Sequence, residues 1–182
     1  MEQEVAVCRA LFEKKTRDYG TSWRVLRLPS MTDQIFIKAN RIRSIQESGE
    51  NMVGDSVRGE FVAMVNYAVM ALIQIDLTKQ EQTSAAHPPL ELPLDEAMSL
   101  YDKHVNAILD LMMLKNHDYG EAWRQMRIAS MVDLILMKLL RIKQIEDNHG
   151  QTIVSEGPEG GYTDIVNYSL FCLVRMTENN ER

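Results

Sequence analysis

Residues 15–45 read KTRDYGTSWRVLRLPSMTDQIFIKANRIRSI, and residues 115–145 read KNHDYGEAWRQMRIASMVDLILMKLLRIKQI. Fifteen of those 31 positions are identical at an offset of 100 residues, among them Asp18/Asp118, Gly20/Gly120, Trp23/Trp123, Arg24/Arg124 and Lys38/Lys138. One extra residue in the next loop moves the offset to 101, where Val65-Asn66-Tyr67 meets Val166-Asn167-Tyr168. Self-similarity at a fixed spacing is the mark of a duplicated structural unit. It divides the 182 residues into a first repeat at 1–82, a Pro- and Ala-rich linker at 83–96 and a second repeat at 97–182. Each repeat then serves as a control for the other.

Each repeat reads as three long helices and a short one. Apolar residues recur three and four apart over 2–17 and 97–117, and each run stops at a glycine, the usual left-handed residue past a helix end. Residues 21–28 and 121–128 read as helical turns. Ser30-x-x-Asp33 and Ser130-x-x-Asp133 fit the capping-box spacing ahead of helices running to about 47 and 148. Gly-rich stretches at 49–59 and 150–161 read as mobile connections to third helices at about 60–79 and 162–178. No segment alternates with period two. The fold class is all-α, with two tandem helical repeats packed about a pseudo-twofold axis.

Composition sets outer bounds. Twenty Lys and Arg against 26 Asp and Glu give a net charge of −6, which speaks against a general nucleic-acid binder. Two cysteines cannot build a disulfide framework, and the N-terminal segment is too charged for a signal peptide. No apolar run stands out as long enough to span a membrane. The expected setting is cytoplasmic, without a membrane partner; a homo-oligomer is left open. The histidines lack zinc-site spacing and no G-x-S-x-G elbow is present.

The polar residues inside the apolar faces are more informative. At roughly 100° per residue, Lys138 falls among Ile135, Ile142 and Ile145, as Lys38 does among Ile35, Ile42 and Ile45. An ammonium there needs a carboxylate or a ligand anion, or it must snorkel to the helix edge. Arg141 follows one turn on. Asp164, Asn167, Tyr168 and Phe171 form one stripe of the third helix, where the first repeat has Ala63, Asn66, Tyr67 and Met70. Glu60 stands where the second repeat has Gly161, as if each copy kept a different carboxylate of an E-x-x-D template. Arg124 and Arg127 share one side of a short helix beside Trp123, a grouping suited to phosphate contact and base stacking, or to a core tryptophan with surface arginines.

The unit K-N-x-D-Y-G-x-x-W, R-x-x-S-M-x-D-x-x-x-x-K-x-x-R-I and D-x-x-N-Y resembles the nucleotide modification associated domain 1 family, a small all-helical family of bacteria and their phages. The second repeat carries the fuller match, including Lys115, Asn116, Asp118, Trp123, Arg127, Asp133, Lys138, Arg141, Asp164, Asn167 and Tyr168. The first departs at Thr16 and Ala63, which marks it as the degenerate copy. The resemblance implies an association with nucleotide or modified-base metabolism. The chain is also loosely similar to the all-α nucleoside triphosphate pyrophosphohydrolases of the MazG and dimeric dUTPase type. Their helix-borne E-x-x-E and E-x-x-D carboxylates hold Mg²⁺ on phosphates, but here the first motif is absent and the second is not intact.

The expected function is therefore nucleotide or phosphate binding by the second repeat. Lys115, Asn116, Arg124, Arg127, Arg141, Trp123, Asn167 and Tyr168 are the candidate ligand contacts. If the site is catalytic, Asp118 and Asp164 would hold Mg²⁺, with Lys138 on the phosphate, for phosphoanhydride hydrolysis. The alternative is a non-enzymatic helical interaction protein whose repeated polar residues are structural.

Overall fold

The computed structural model describes residues 1–52, 54, 56–83, 89–152 and 157–180. The regular elements of the described residues are all helical: α1 (Glu2–Tyr19), α2 (Leu28–Ser48), α3 (Val57–Thr83), α4 (Leu94–Tyr119), α5 (Ile128–Asp147) and α6 (Glu159–Asn180). Single 3-10 turns at Ser22–Val25 and Ala122–Gln125 join α1 to α2 and α4 to α5. The all-α tandem architecture read from the sequence is the architecture observed. α1 and α4 stop at Gly20 and Gly120, which take φ of +62° and +57°, where a side chain would be strained.

The helix starts differ from the capping-box expectation. α2 and α5 begin at Leu28 and Ile128, with Arg27 and Arg127 at the N-cap positions and no side-chain cap. Ser30 and Ser130 therefore lie inside the first turn. Pro29 suits the first turn of α2 by its fixed φ and missing N–H, and α5 starts at the same place with Ala129. Asp33 and Asp133 are freed for another task. Lys143 Nζ lies 2.5 Å from Asp33 Oδ1, and Arg43 Nη1 lies 3.6 Å from Asp133 Oδ1. Asp33 corresponds to Asp133 and Arg43 to Lys143, so one bond is repeated in mirrored roles. Each joins the start of one helix to the end of the other, which sets α2 and α5 antiparallel across the pseudo-twofold axis.

The same logic ties α3 to α6. The Arg58 guanidinium, at the start of α3, bonds Thr177 Oγ1 near the end of α6 and the buried Glu4 of α1. Lys79 of α3 reaches Glu159 at the start of α6. α2 and α5 present matched apolar rows, Met31, Ile35, Ala39 and Ile42 against Met131, Ile135, Leu139 and Ile142, all buried. α3 is buried on most of its circumference by the surrounding helices. By length and composition its segment Val57–Gln82 could cross a membrane, contrary to the sequence reading, yet 67% of its most apolar window is covered inside the bundle. The two cysteines, Cys8 and Cys172, are buried filler whose thiols burial pushes up to about 12.

Of the linker, residues 84–88 lie outside the described residues, as do 53, 55 and 153–156 of the Gly-rich connections. The remaining linker residues dock on the first repeat: Thr21 Oγ1 donates to the Leu90 carbonyl at 2.9 Å and accepts from Leu92 N–H at 2.8 Å. One polar cluster breaks the symmetry of the core. The Thr32 hydroxyl lies 2.6 Å from Glu146 Oε1 and 2.7 Å from the Tyr162 hydroxyl, where the other copy has Val132, Gln46 and Phe61.

Candidate functional site

The stripe of α6 and the turn after α4 meet in a pocket of about 280 Å³. Asp164, Asn167, Tyr168 and Phe171 of α6 form one wall, Trp123 and Met126 a second, and Met112, Lys115, Asn116 and Tyr119 of α4 the third. Helical spacing aligns the first set, since residues three and four apart share a face. Gly120 turns the chain sharply enough to lay Trp123 back on α6. Phe171 stacks on the Trp123 indole at 4.3 Å between ring centroids and 5° between planes, and Tyr168 meets Phe171 edge-on.

Arg124 does not project toward a ligand. Its guanidinium lies 4.5 Å over the Trp123 ring and is held by Glu121 and Glu178. The stacked phenyl and the guanidinium both cover the indole, so a base stacked on Trp123 would have to displace one of them. The N–H edge of Trp123 is enclosed. Its Nε1–H is buried and has no acceptor, and Asn167 Oδ1 is buried and has no donor. Buried polar atoms are paired in the great majority of cases, so two orphans of opposite type on adjoining walls are informative.

Lys138 Nζ lies 2.7 Å from Asp164 Oδ2, with side chains 20% and 28% exposed. The expected partner for the ammonium is thus a protein carboxylate; Asp164 borders the pocket and Lys138 stands behind it. Burial and the neighbouring Asp164 charge push the Tyr168 hydroxyl pKa up, so it remains a hydrogen-bond donor at neutral pH. Lys115 is exposed at the rim and Asn116 is half-buried.

The other candidates stand apart. Arg127 and Arg141 are exposed and do not line the pocket. The Asp118 side chain is 77% exposed at the end of α4, with the adjacent His117 as its partner. Asp164 is the one carboxylate in the lining, and among the described residues no three His, Cys, Asp or Glu side chains are grouped to hold a metal ion. The donor set does not fit the magnesium site expected from Asp118 and Asp164. The lining also holds Phe171, Met112, Tyr119 and Met126, beyond the candidate contacts. Phe171 belongs to the stripe and Tyr119 to the D-Y-G motif; Met112 and Met126 are apolar neighbours with no motif of their own.

The first repeat repeats the architecture. Its pocket, about 470 Å³, is lined by the counterparts Lys15, Thr16, Tyr19, Trp23, Leu26, Ala63, Asn66, Tyr67 and Met70. Lys38 and Arg41 there share Glu60, at 3.2 and 2.5 Å.

The sequence signature described as nucleotide modification associated domain 1 matches residues 15–75 and again 115–176. The chain belongs to this family. The two matched segments coincide with the two copies, and the second nucleotide modification associated domain 1 segment contains every lining residue of its pocket except Met112. No curated protein and no solved structure matches the chain.

Proposed function

We propose that the second-repeat pocket binds a nucleotide, with base or sugar against Trp123, Asn167, Tyr168 and Asp164 and phosphate toward Lys115 at the rim. The observation that carries the reading is the convergence of Asp164, Asn167 and Tyr168 from α6 on a pocket closed by Trp123, with Lys115 at the rim. A ligand edge that offers both an acceptor and N–H groups bonds a carboxylate, an amide and a phenol together, and a nucleobase is such an edge. The family description, an association with nucleotide modification, supports the same class of ligand. Pockets of this kind are usually apolar with a few convergent polar groups, as here. The single carboxylate favours binding over Mg²⁺-assisted hydrolysis.

The test is a thermal-shift panel of nucleotides and deoxynucleotides, each with and without Mg²⁺. Ligand at ~100 times its dissociation constant adds about 2.7 kcal/mol, roughly 5–10 °C for a chain of this size. The expected result is a shift that does not depend on Mg²⁺. A shift that requires Mg²⁺ and disappears in Asp164→Asn moves the assignment to pyrophosphohydrolysis, and a flat panel overturns the binding reading.

A second reading, an interaction protein, is favoured by one observation. Leu111, Met113 and Leu114 of α4 are exposed, whereas the first repeat has Leu11, Glu13 and Lys14 at those positions. A concentration-dependent sedimentation coefficient, lost in Leu114→Lys, would support it.

A further inference from the structure

The α6 wall of the second-repeat pocket carries an order of hydrogen-bonding groups as well as a set of them. Asp164 borders the pocket, and Lys138 meets it through Oδ2 at 2.7 Å. An ionised carboxylate only accepts, and it has about four lone-pair sites, so one ammonium leaves room for two more donors. Two donors stand one turn along the same face. The Asn167 carbonyl is enclosed, so the NH2 is the end of its amide that borders the pocket. The Tyr168 hydroxyl lies near enough to Asp164 and Lys138 to feel both charges. Residues three and four apart on a helix hold their Cβ atoms roughly 5–6 Å from one another. Along α6 the wall therefore reads acceptor, acceptor, donor.

We infer that this wall selects guanine, with Asp164 accepting from N1–H and the N2 amine and Asn167 or Tyr168 donating to O6; the inference rests on the nucleotide reading of the pocket. Among the common bases guanine alone presents two adjacent donors followed by an acceptor. Adenine and cytosine carry one amine beside an acceptor, and uracil and thymine carry one N–H between two acceptors. Each of those would set an acceptor against a carboxylate oxygen, and such a repulsive contact discriminates as well as an attractive one. A volume of about 280 Å³ lies at the lower end of ligand pockets. It takes the base and leaves sugar and phosphate toward the exposed Lys115. The first repeat supplies the control, because Ala63 stands at the position of Asp164 and no carboxylate lines its pocket.

The chain holds two tryptophans, one beside each pocket, so two indole N–H resonances report on the two sites separately. The experiment titrates GMP, dGMP, IMP, AMP, CMP, UMP and XMP, without Mg²⁺, into the full-length protein while both resonances are followed. Trp23→Phe and Trp123→Phe assign them. GMP and dGMP are expected to move the Trp123 signal saturably and to leave the Trp23 signal in place. Both should bind at least about tenfold tighter than IMP, which lacks only the exocyclic amine, and than AMP, CMP and UMP. Asp164→Asn exchanges one acceptor for an NH2 donor. It is expected to reverse the order of GMP and XMP, because xanthine presents a carbonyl where guanine presents its amine. The wild-type series decides alone should that variant fail to fold. IMP or another base binding as tightly as GMP, or a guanine preference kept in Asp164→Asn, overturns the inference. Ribonucleotides of every base binding alike, with dGMP weak, would assign Asp164 to the ribose hydroxyls; that overturns it and leaves the nucleotide reading standing. Nucleotides that all leave Trp123 unmoved remove the nucleotide reading itself, and the inference with it.

Discussion

Lys138 is met by Asp164 at 2.7 Å, whereas its repeat-related Lys38 is met at 3.2 Å by Glu60, whose position is one helical turn earlier on the equivalent helix. The same ammonium is neutralised in both copies by acids in different registers. The consequence is functional, because only the later register puts a carboxylate on the pocket wall. Removing the cation leaves Asp164 partly buried and unpaired. Lys138→Met is expected to cost about 1–2 kcal/mol, less than a fully buried pair because both side chains are partly solvated. Adding Asp164→Ala should recover most of that loss in a urea double-mutant cycle. No recovery would mean the two side chains are not energetically coupled.

Packing explains why the second repeat cannot use the earlier register. A Cβ on Gly161, the counterpart of Glu60, would lie 2.8 Å from Ile142 Cγ1 and Cδ1, and Ile142 is fully packed. Gly161→Ala is therefore expected to destabilise by about 1–3 kcal/mol. Its neighbour Gly160 has open space around the Cβ position, and Gly160→Ala should be neutral or stabilise by up to about 1 kcal/mol. Chemical denaturation of the two variants side by side checks this, and equal effects would contradict it.

The two asparagines should respond in opposite directions. Asn66 is hydrogen-bonded at both ends of its amide, so Asn66→Leu breaks two bonds and is expected to cost about 1–3 kcal/mol. Asn167 Oδ1 has no partner, so Asn167→Leu relieves a desolvated carbonyl and should stabilise the ligand-free protein by roughly 0.5–2 kcal/mol. The nucleotide-induced thermal shift should vanish in the same variant. A polar group retained at a cost to stability is what a binding site entails.

Glu146 supplies a pH signature. Burial raises its pKa above the ordinary 4.5, and the hydroxyls of Thr32 and Tyr162 offset that only in part. A carboxyl whose folded pKa lies above its unfolded value stabilises the fold most below pH 4.5. That contribution is lost as pH rises through the folded pKa. The difference in urea stability between wild type and Glu146→Gln should therefore shift against the wild type as pH rises above about 4.5. A difference that stays constant from pH 4 to 7 would show that Glu146 titrates alike in both states.

Much of this was legible in one copy laid over the other. The repeat gave the helix order, the glycine stops and the Asp164–Asn167–Tyr168–Phe171 stripe, because local periodicity encodes which face a residue shares. The capping box misled because its spacing is a weak local pattern: both helices start two residues before their serines, at Leu28 and Ile128. Asp118 matched the family motif, yet it sits at an exposed helix end, and motif membership does not report exposure. What no local reading could supply is the Tyr101–Asn66 bond, made between repeats by residues 35 apart, which spends one pocket's amide and leaves the other's free.

The central claim, that the second repeat holds a polar nucleotide pocket, is tested most directly by following the two indole N–H resonances during titration with ribonucleoside and deoxyribonucleoside phosphates without Mg²⁺. The account predicts saturable movement of the Trp123 signal with the Trp23 signal unmoved, and loss of that movement in Asn167→Leu. Nucleotides that leave Trp123 unmoved at millimolar concentration, or that move Trp23 instead, would contradict it.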